Sequence, residues 1–160
     1  MKQIRSTKPC VYGLILLSIV FSSVTQASEA PPPDPEKWYL ESYGAMWVKE
    51  PWNNVNQTSN FYASELHDHE PEGKIVTYES VPWMAGLLEM WKNEGWLSSE
   101  ITNLRVTRIN ASTTSFISRW DDHYQEAEDD YSCGWYLADL VDGQWKFTNY
   151  ATIDCAEHGL

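Results

Sequence analysis

The feature that most constrains this chain is the two-residue period of its C-terminal half. From Glu100 onward polar and apolar residues alternate, and β-branched residues are dense in "ITNLRVTRI" and "TTSFISRW". Such runs fit a pleated, half-buried surface. The intervening "NAS" is a hairpin signal. A second hairpin, "CGWYLADLVDGQWKFTNYATIDC", runs from Cys133 to Cys155 and closes around Asp142-Gly143. With a three-residue loop, Val141-Asp142-Gly143, Leu140 pairs with Gln144. One face then carries Cys133, Trp135, Leu137 and Asp139 against Ala151, Asn149, Phe147 and Trp145. The other carries Tyr136, Ala138 and Leu140 against Tyr150, Thr148 and Lys146. The first is expected to be drier and to face inward. A two-residue Asp-Gly turn would shift the pairing by one. The acidic run Asp121–Asp130 reads as a solvated loop or ragged hairpin end.

Upstream the period is helical. Asp34 suits an N-cap and Pro35 a first turn. Tyr39, Tyr43, Met46 and Trp47 then share a face, which predicts a helix over 35–50 ended by Pro51. A weaker helix is expected over 52–63, with Val55, Ser59 and Tyr62 inward. Pro71 and Gly73 make "HDHEPEGK" a turn, and "IVTYES" suits an edge strand. Ser80 and Pro82 open a helix over 82–95. Met84, Leu87, Leu88 and Trp91 form its stripe, and Gly95 is placed to cap it. Helices followed by a long antiparallel sheet predict a single α+β domain with helices on one sheet face.

The first 27 residues stand apart. Lys2, Arg5 and Lys8 precede an apolar run, Val11–Phe21, and small residues follow as far as Ala27. That is the pattern of a cleaved secretory signal. The apolar run falls short of the roughly 20 residues a membrane span needs. The expected organisation is a signal peptide over 1–27, a stiff proline-rich leader over 28–34 and the domain over 35–160. Location is therefore expected to be periplasmic or secreted. The signal peptide holds three of the eleven basic residues and no acid, so its removal takes the formal charge from −12 to −15. That sign argues against nucleic acid and anionic membranes as partners. Cys133 and Cys155 would survive cleavage. An oxidising compartment favours a disulfide between them, with two buried thiols as the alternative.

The predicted helices 35–50, 52–63 and 82–95, the turn at "HDHEPEGK" and the strand meander from Ile101 to Ile153 together resemble the nuclear transport factor 2-like superfamily, in particular its SnoaL-like domains. "NFYASELHDHEPEG" is similar to the stretch where a helix in those domains gives way to an acidic or His-bearing loop. "WYLADLVDGQWKFTNYATI" is similar to their last two strands. The resemblance implies a cone: a curved antiparallel sheet with about three N-terminal helices packed on its concave face and a pocket at one end. It also implies either an isomerase, dehydratase or hydrolase, or a non-enzymatic binding or assembly module, often a homodimer. Fold does not choose among these.

Nine Trp and nine Tyr exceed what a small core needs. They suggest a cavity lined by Trp38, Tyr43, Trp120, Trp135, Trp145 and Phe147, with Asn149 beside it, for a small hydrophobic or aromatic molecule. The alternative is a cone filled solid with aromatic side chains. Asp139, on the expected inner face, could act as a base if desolvated, and otherwise sits in water at the hairpin end. His67 and Asp68 are further acid–base candidates at a pocket mouth. His67 and His69 share a side in an extended chain, but no third ligand stands at a recognisable spacing, so no metal and no other cofactor is expected. Arg119 suits a structural ion pair with Asp121. Asn56 and Asn110 head N-x-Ser/Thr sequons.

Overall fold

The computed structural model describes residues 31–48 and 55–160. The expected signal segment, part of the leader and the end of the first predicted helix lie outside the described residues. Among the described residues no helix is long and apolar enough to cross a membrane.

The first helix begins as α1 (Pro35–Lys37), continues through a π-helical stretch (Trp38–Gly44) and ends as α2 (Ala45–Trp47). The Asp34 carboxylate accepts from the Lys37 backbone N–H at 2.9 Å, the N-cap expected from sequence. Tyr39, Tyr43 and Trp47 recur every four residues and are all buried. That spacing is wider than the 3.6 residues of an α-turn. The looser π-turn takes up the difference, so all three rings stay on the sheet side. Gly44 lets this helix press on the sheet: a Cβ there would lie 2.6 Å from Ile101 Cδ1.

Next come α3 (Val55–Ser59), β1 (Tyr62–His69) and β2 (Ile75–Glu79). Here the sequence reading needs correction. The helix expected over 52–63 is described only from Val55 to Ser59, and "YASELHDH" is a strand. Ala, Glu and Leu favour helix locally, but β1 finds partners on both sides. It pairs antiparallel with β2, the anticipated edge strand, and parallel with β6. Tertiary pairing overrides propensity. The turn is confined to residues 70–74, where the Gly73 and Glu70 backbone N–H groups donate to the Glu70 and Lys74 carbonyls.

Helix α4 (Ser80–Asn93) follows, with Met84 and Leu88 buried and Gly95 at φ +79° beyond its end. The Ser80 hydroxyl donates to the Ala63 carbonyl, tying the start of the helix to β1. The remaining strands are β3 (Trp96–Arg108), β4 (Thr113–Tyr124), β5 (Asp130–Val141) and β6 (Gln144–Thr152). The order across the sheet is β2-β1-β6-β5-β4-β3. The sheet is curved and unclosed, and it is mixed rather than wholly antiparallel because of the β1–β6 pair. Irregularities near Leu97 and Thr102 in β3 and at Thr148 in β6 bend it. The α+β reading holds, with helices against the concave face.

The register of the last hairpin differs from expectation. Val141 pairs with Gln144 across a two-residue turn, with Asp142 at φ 50° and Gly143 at φ 75°. Positive φ at both positions is what an Asp-Gly type I′ turn requires. Ala138 therefore pairs with Phe147, and Leu140 with Trp145. Thr148 is then extra, and beyond it Leu137 pairs with Asn149 and Tyr136 with Tyr150. The inner face carries Tyr136, Ala138, Trp145 and Phe147, which join the core. Trp135, Leu137 and Asp139 are on the outer face, opposite to the expected arrangement. Cys133 and Cys155 form a disulfide with Cα atoms 5.4 Å apart.

Candidate functional site

Above the buried aromatic layer the concave side holds a cavity of about 420 Å³. Its sheet wall follows from strand alternation. In β4 the residues Thr114, Phe116, Ser118 and Trp120 are buried on the inner side, and the same phase carries Asp122 and Tyr124 into the lining. The irregularities in β3 keep its phase matched: Trp96 pairs with Tyr124, Ser99 with Asp122 and Ile101 with Trp120. The helical wall is supplied by Tyr43 and Trp47 of the first helix and by Met84, Leu87 and Trp91 of α4.

Buried hydroxyls tie helix to sheet. The Tyr39 hydroxyl lies 2.7 Å from Ser118 Oγ, which also accepts from the Trp120 indole N–H at 2.8 Å. The Tyr43 and Tyr62 hydroxyls meet at 2.7 Å. Burial raises the pKa of Tyr39, Tyr43, Tyr62 and Tyr136, so these phenols are neutral donors and acceptors.

Asp122 is the carboxylate most fully built into the cavity wall. The Ser99 hydroxyl donates to Oδ1, and the Ser132 hydroxyl donates to Oδ2 at 2.9 Å. The Trp96 indole N–H donates to Ser99 Oγ at 2.9 Å, so ring and carboxylate share one hydrogen-bonded chain. Desolvation raises the Asp122 pKa against the lowering effect of the two serines, and Asp130 and Asp121 raise it further. Asp68 also lines the cavity. Its pKa is raised by desolvation and by Glu70, against the lowering effect of His69.

The residues expected from sequence scatter over four places. Tyr43, Trp120 and Asp68 line the cavity. Phe147 is fully buried beneath it, with ring centroids 4.7 Å from Tyr43 and 5.0 Å from Tyr136. Trp38 and Trp145 border a separate, open crevice near Pro33, Phe61 and Lys146, and the Trp145 indole donates to the Pro33 carbonyl at 2.7 Å. The segment that precedes the first helix is thus tied to β6 at that point.

Trp135, Asn149 and Asp139 are on the outer sheet face and do not belong to the cavity. The Trp135 indole donates to Ser115 Oγ at 2.8 Å and its ring meets His69 edge-on at 5.5 Å. His69 Nε2 lies 2.9 Å from Asn149 Oδ1. Asp139 accepts from the Thr113 hydroxyl at 2.7 Å and the Thr148 hydroxyl at 3.0 Å. His67 bonds the Thr77 hydroxyl through Nδ1 at 2.9 Å on the exposed side of β1. His67 and Asp139 are therefore removed from the acid–base candidates. Tyr136 and Tyr150, on the hairpin face expected to point outward, line the cavity instead. Arg119 forms the structural ion pair with Asp121 at 3.2 Å and lies 4.2 Å over the Tyr131 ring.

Asp122 was hidden in the sequence because it stands second in an acidic run that reads as solvent-facing. The recoverable signal was the alternation of "TTSFISRW", which two further steps carry to Asp122.

No protein-family profile and no curated protein matches the sequence. Solved structures do match the fold. An NTF-2-like protein of unknown function from Shewanella oneidensis MR-1 is 16% identical, with TM-score 0.54 over 66% of this chain and 88% of its own. An NTF2-like protein of unknown function from Prochlorococcus sp. NATL2A is 14% identical, with TM-score 0.56 over 78% of this chain and 98% of its own. A Novosphingobium aromaticivorans protein provisionally named a scytalone dehydratase is 16% identical, with TM-score 0.50 over 70% of this chain and 77% of its own. The chain has the nuclear transport factor 2-like fold, as the sequence resemblance implied.

Proposed function

We propose that the concave cavity binds a small hydrophobic or aromatic molecule. One observation carries this reading: eleven of the twenty described residues lining the cavity are Trp or Tyr, arranged around a space large enough for a small molecule. Aromatic walls offer large apolar area at little conformational cost, and the Asp122 carboxylate in the wall is held by two serines. A thermal-shift screen of small aromatic compounds tests the reading. Binders raise the melting temperature and quench the cavity tryptophans. A screen in which no compound does either removes the support for a ligand site.

Asp122 favours a second reading, a small acid–base enzyme of the isomerase, dehydratase or hydrolase kind. A carboxylate with a raised pKa, hydrogen-bonded on both oxygens beside an apolar cavity, has what proton transfer requires. Asp68 is the second candidate in the same space. If a turned-over compound is found, Asp122→Asn removes turnover while binding persists. Retained turnover in that variant and in Asp68→Asn eliminates this chemistry.

The protein is proposed to be exported and to act in the periplasm or outside the cell. The basic-apolar-small N-terminus and the Cys133–Cys155 disulfide support this. Mature protein from the native host should begin at Ser28. An intact Met1 on cytosolic protein would overturn export.

A further inference from the structure

We propose that the ligand of the concave cavity is an organic cation, a quaternary or protonated amine attached to an apolar or aromatic body. This rests on the reading of the cavity as a ligand site and deepens it by assigning the ligand's charge.

The first ground is the sign of the lining. Asp68, Asp122 and Asp130 line the cavity, and among the described residues no Lys, Arg or His is part of its lining. Asp122 is held by two neutral hydroxyls, and the chain's formal charge of −12 sets the same sign around it. A low-dielectric concavity with charge of one sign concentrates ions of the other.

The second ground is independent of charge. Trp47, Trp91 and Trp96 stand at angles to one another: 5.8 Å and 76° for Trp47–Trp91, 5.4 Å and 50° for Trp91–Trp96. Trp120 continues the group at 6.5 Å and 81° from Trp47. The indole N–H groups of Trp96 and Trp120 are engaged by Ser99 and Ser118. What those two rings can still offer a ligand is π surface, whose negative face attracts a cation. Angled aromatic walls around a carboxylate make the kind of cage that recognises alkylammonium groups.

The alternatives fit less well. A neutral aromatic would gain from the walls but would deepen the desolvation of Asp122 and Asp68. An anion would meet repulsion from three carboxylates with no basic side chain among the described lining residues to receive it. A cation relieves the desolvation and uses both kinds of group at once.

The test is calorimetric titration of the purified protein with three probes of similar size. These are phenyltrimethylammonium, its neutral isostere tert-butylbenzene, and benzenesulfonate. The cation is expected to bind at least about tenfold more tightly than the hydrocarbon, and the sulfonate not at all. Asp122→Asn should weaken the cation about tenfold and bind the hydrocarbon at least as tightly as the parent does. Asp68→Asn, at a more exposed position, serves if the first variant fails to fold. Hydrocarbon binding as tight as or tighter than cation binding overturns the assignment of charge and leaves the ligand site standing. Cation binding unaltered in both variants overturns it as well, because the ion is then held elsewhere on an acidic surface. If neither the cation nor the hydrocarbon binds, the ligand site falls together with its charge.

Discussion

Tyr43 of the first helix and Tyr62 of β1 place their phenolic oxygens 2.7 Å apart at the floor of the cavity. Both rings are nearly inaccessible, and burial holds both pKa values above the ordinary phenol range. A buried hydroxyl without a partner costs more than the pair contributes. Tyr62→Phe should therefore destabilise by about 1–3 kcal/mol. Tyr43→Phe in addition should recover part of that loss, since no orphaned hydroxyl remains. A double-mutant cycle in urea, with slopes unchanged, measures the coupling. Additive losses would mean that the two hydroxyls do not depend on each other.

Asp122 should limit stability at neutral pH. Its folded pKa is raised, chiefly by desolvation, so the native state binds the proton more tightly than the unfolded chain does. Stability from this group is therefore lost as pH rises from the unfolded value, about 3.9, through the folded one. Asp122→Asn removes the penalty, so its melting temperature should exceed the parent's at pH 7. The difference should close as pH falls below about 4. Melting curves of the two proteins across that range measure it. A variant less stable than the parent at pH 7 would show that the serine hydrogen bonds outweigh the desolvation.

Legibility in the sequence followed the range of the interaction that decides each feature. Asp34, the stripe from Met84 to Trp91 and the Asp142-Gly143 turn are local signals, and each is found where its chemistry placed it. The face of Trp135 was not local. It depended on whether the turn held two residues or three, and Asp-Gly is compatible with both. Strand β1 was hidden for the opposite reason: its residues suit a helix, and only the edges of β2 and β6 make it a strand. The cavity was legible in kind, as an aromatic surplus. Of its charged members Asp68 was anticipated at a pocket mouth, but Asp122 was not, because it lies in an acidic run whose burial only the folded sheet creates.

The disulfide closes a 22-residue separation and fastens the C-terminal segment to the outer face of β5. The Ile153 backbone N–H donates to the Cys133 carbonyl at 3.0 Å, and farther on Arg105 Nη2 reaches the Gly159 carbonyl at 3.1 Å. Loop-closure entropy for that separation gives a stabilisation of about 3 kcal/mol. Replacing both cysteines by alanine should lower the urea midpoint accordingly. The exposed Arg105→Ala should change it by less than about 1 kcal/mol. A reducing agent should reproduce the double-alanine result in the parent protein and have no effect on the variant.

Thr148 decides which way the end of β6 faces. Phe147 points inward, and strict alternation from it would send Asn149 into the cavity and Tyr150 out to solvent. The extra residue reverses that, so Tyr150 lines the cavity and Asn149 meets His69 outside. Deleting Thr148 leaves Phe147, Asn149 and Tyr150 in regular alternation with the same faces. The deletion should fold, keep Tyr150 inward, and lose the Thr148 hydroxyl's hydrogen bonds to Asp139, the Leu137 carbonyl and the Asn149 amide together with some curvature. That loss amounts to about 1–3 kcal/mol. Deleting Lys146 removes a residue between Trp145 and Phe147, both almost fully buried, and must turn one of them outward. It should abolish cooperative folding. Urea unfolding followed by near-UV circular dichroism distinguishes the two. Equal damage from both deletions would show that strand phase is not set at Thr148.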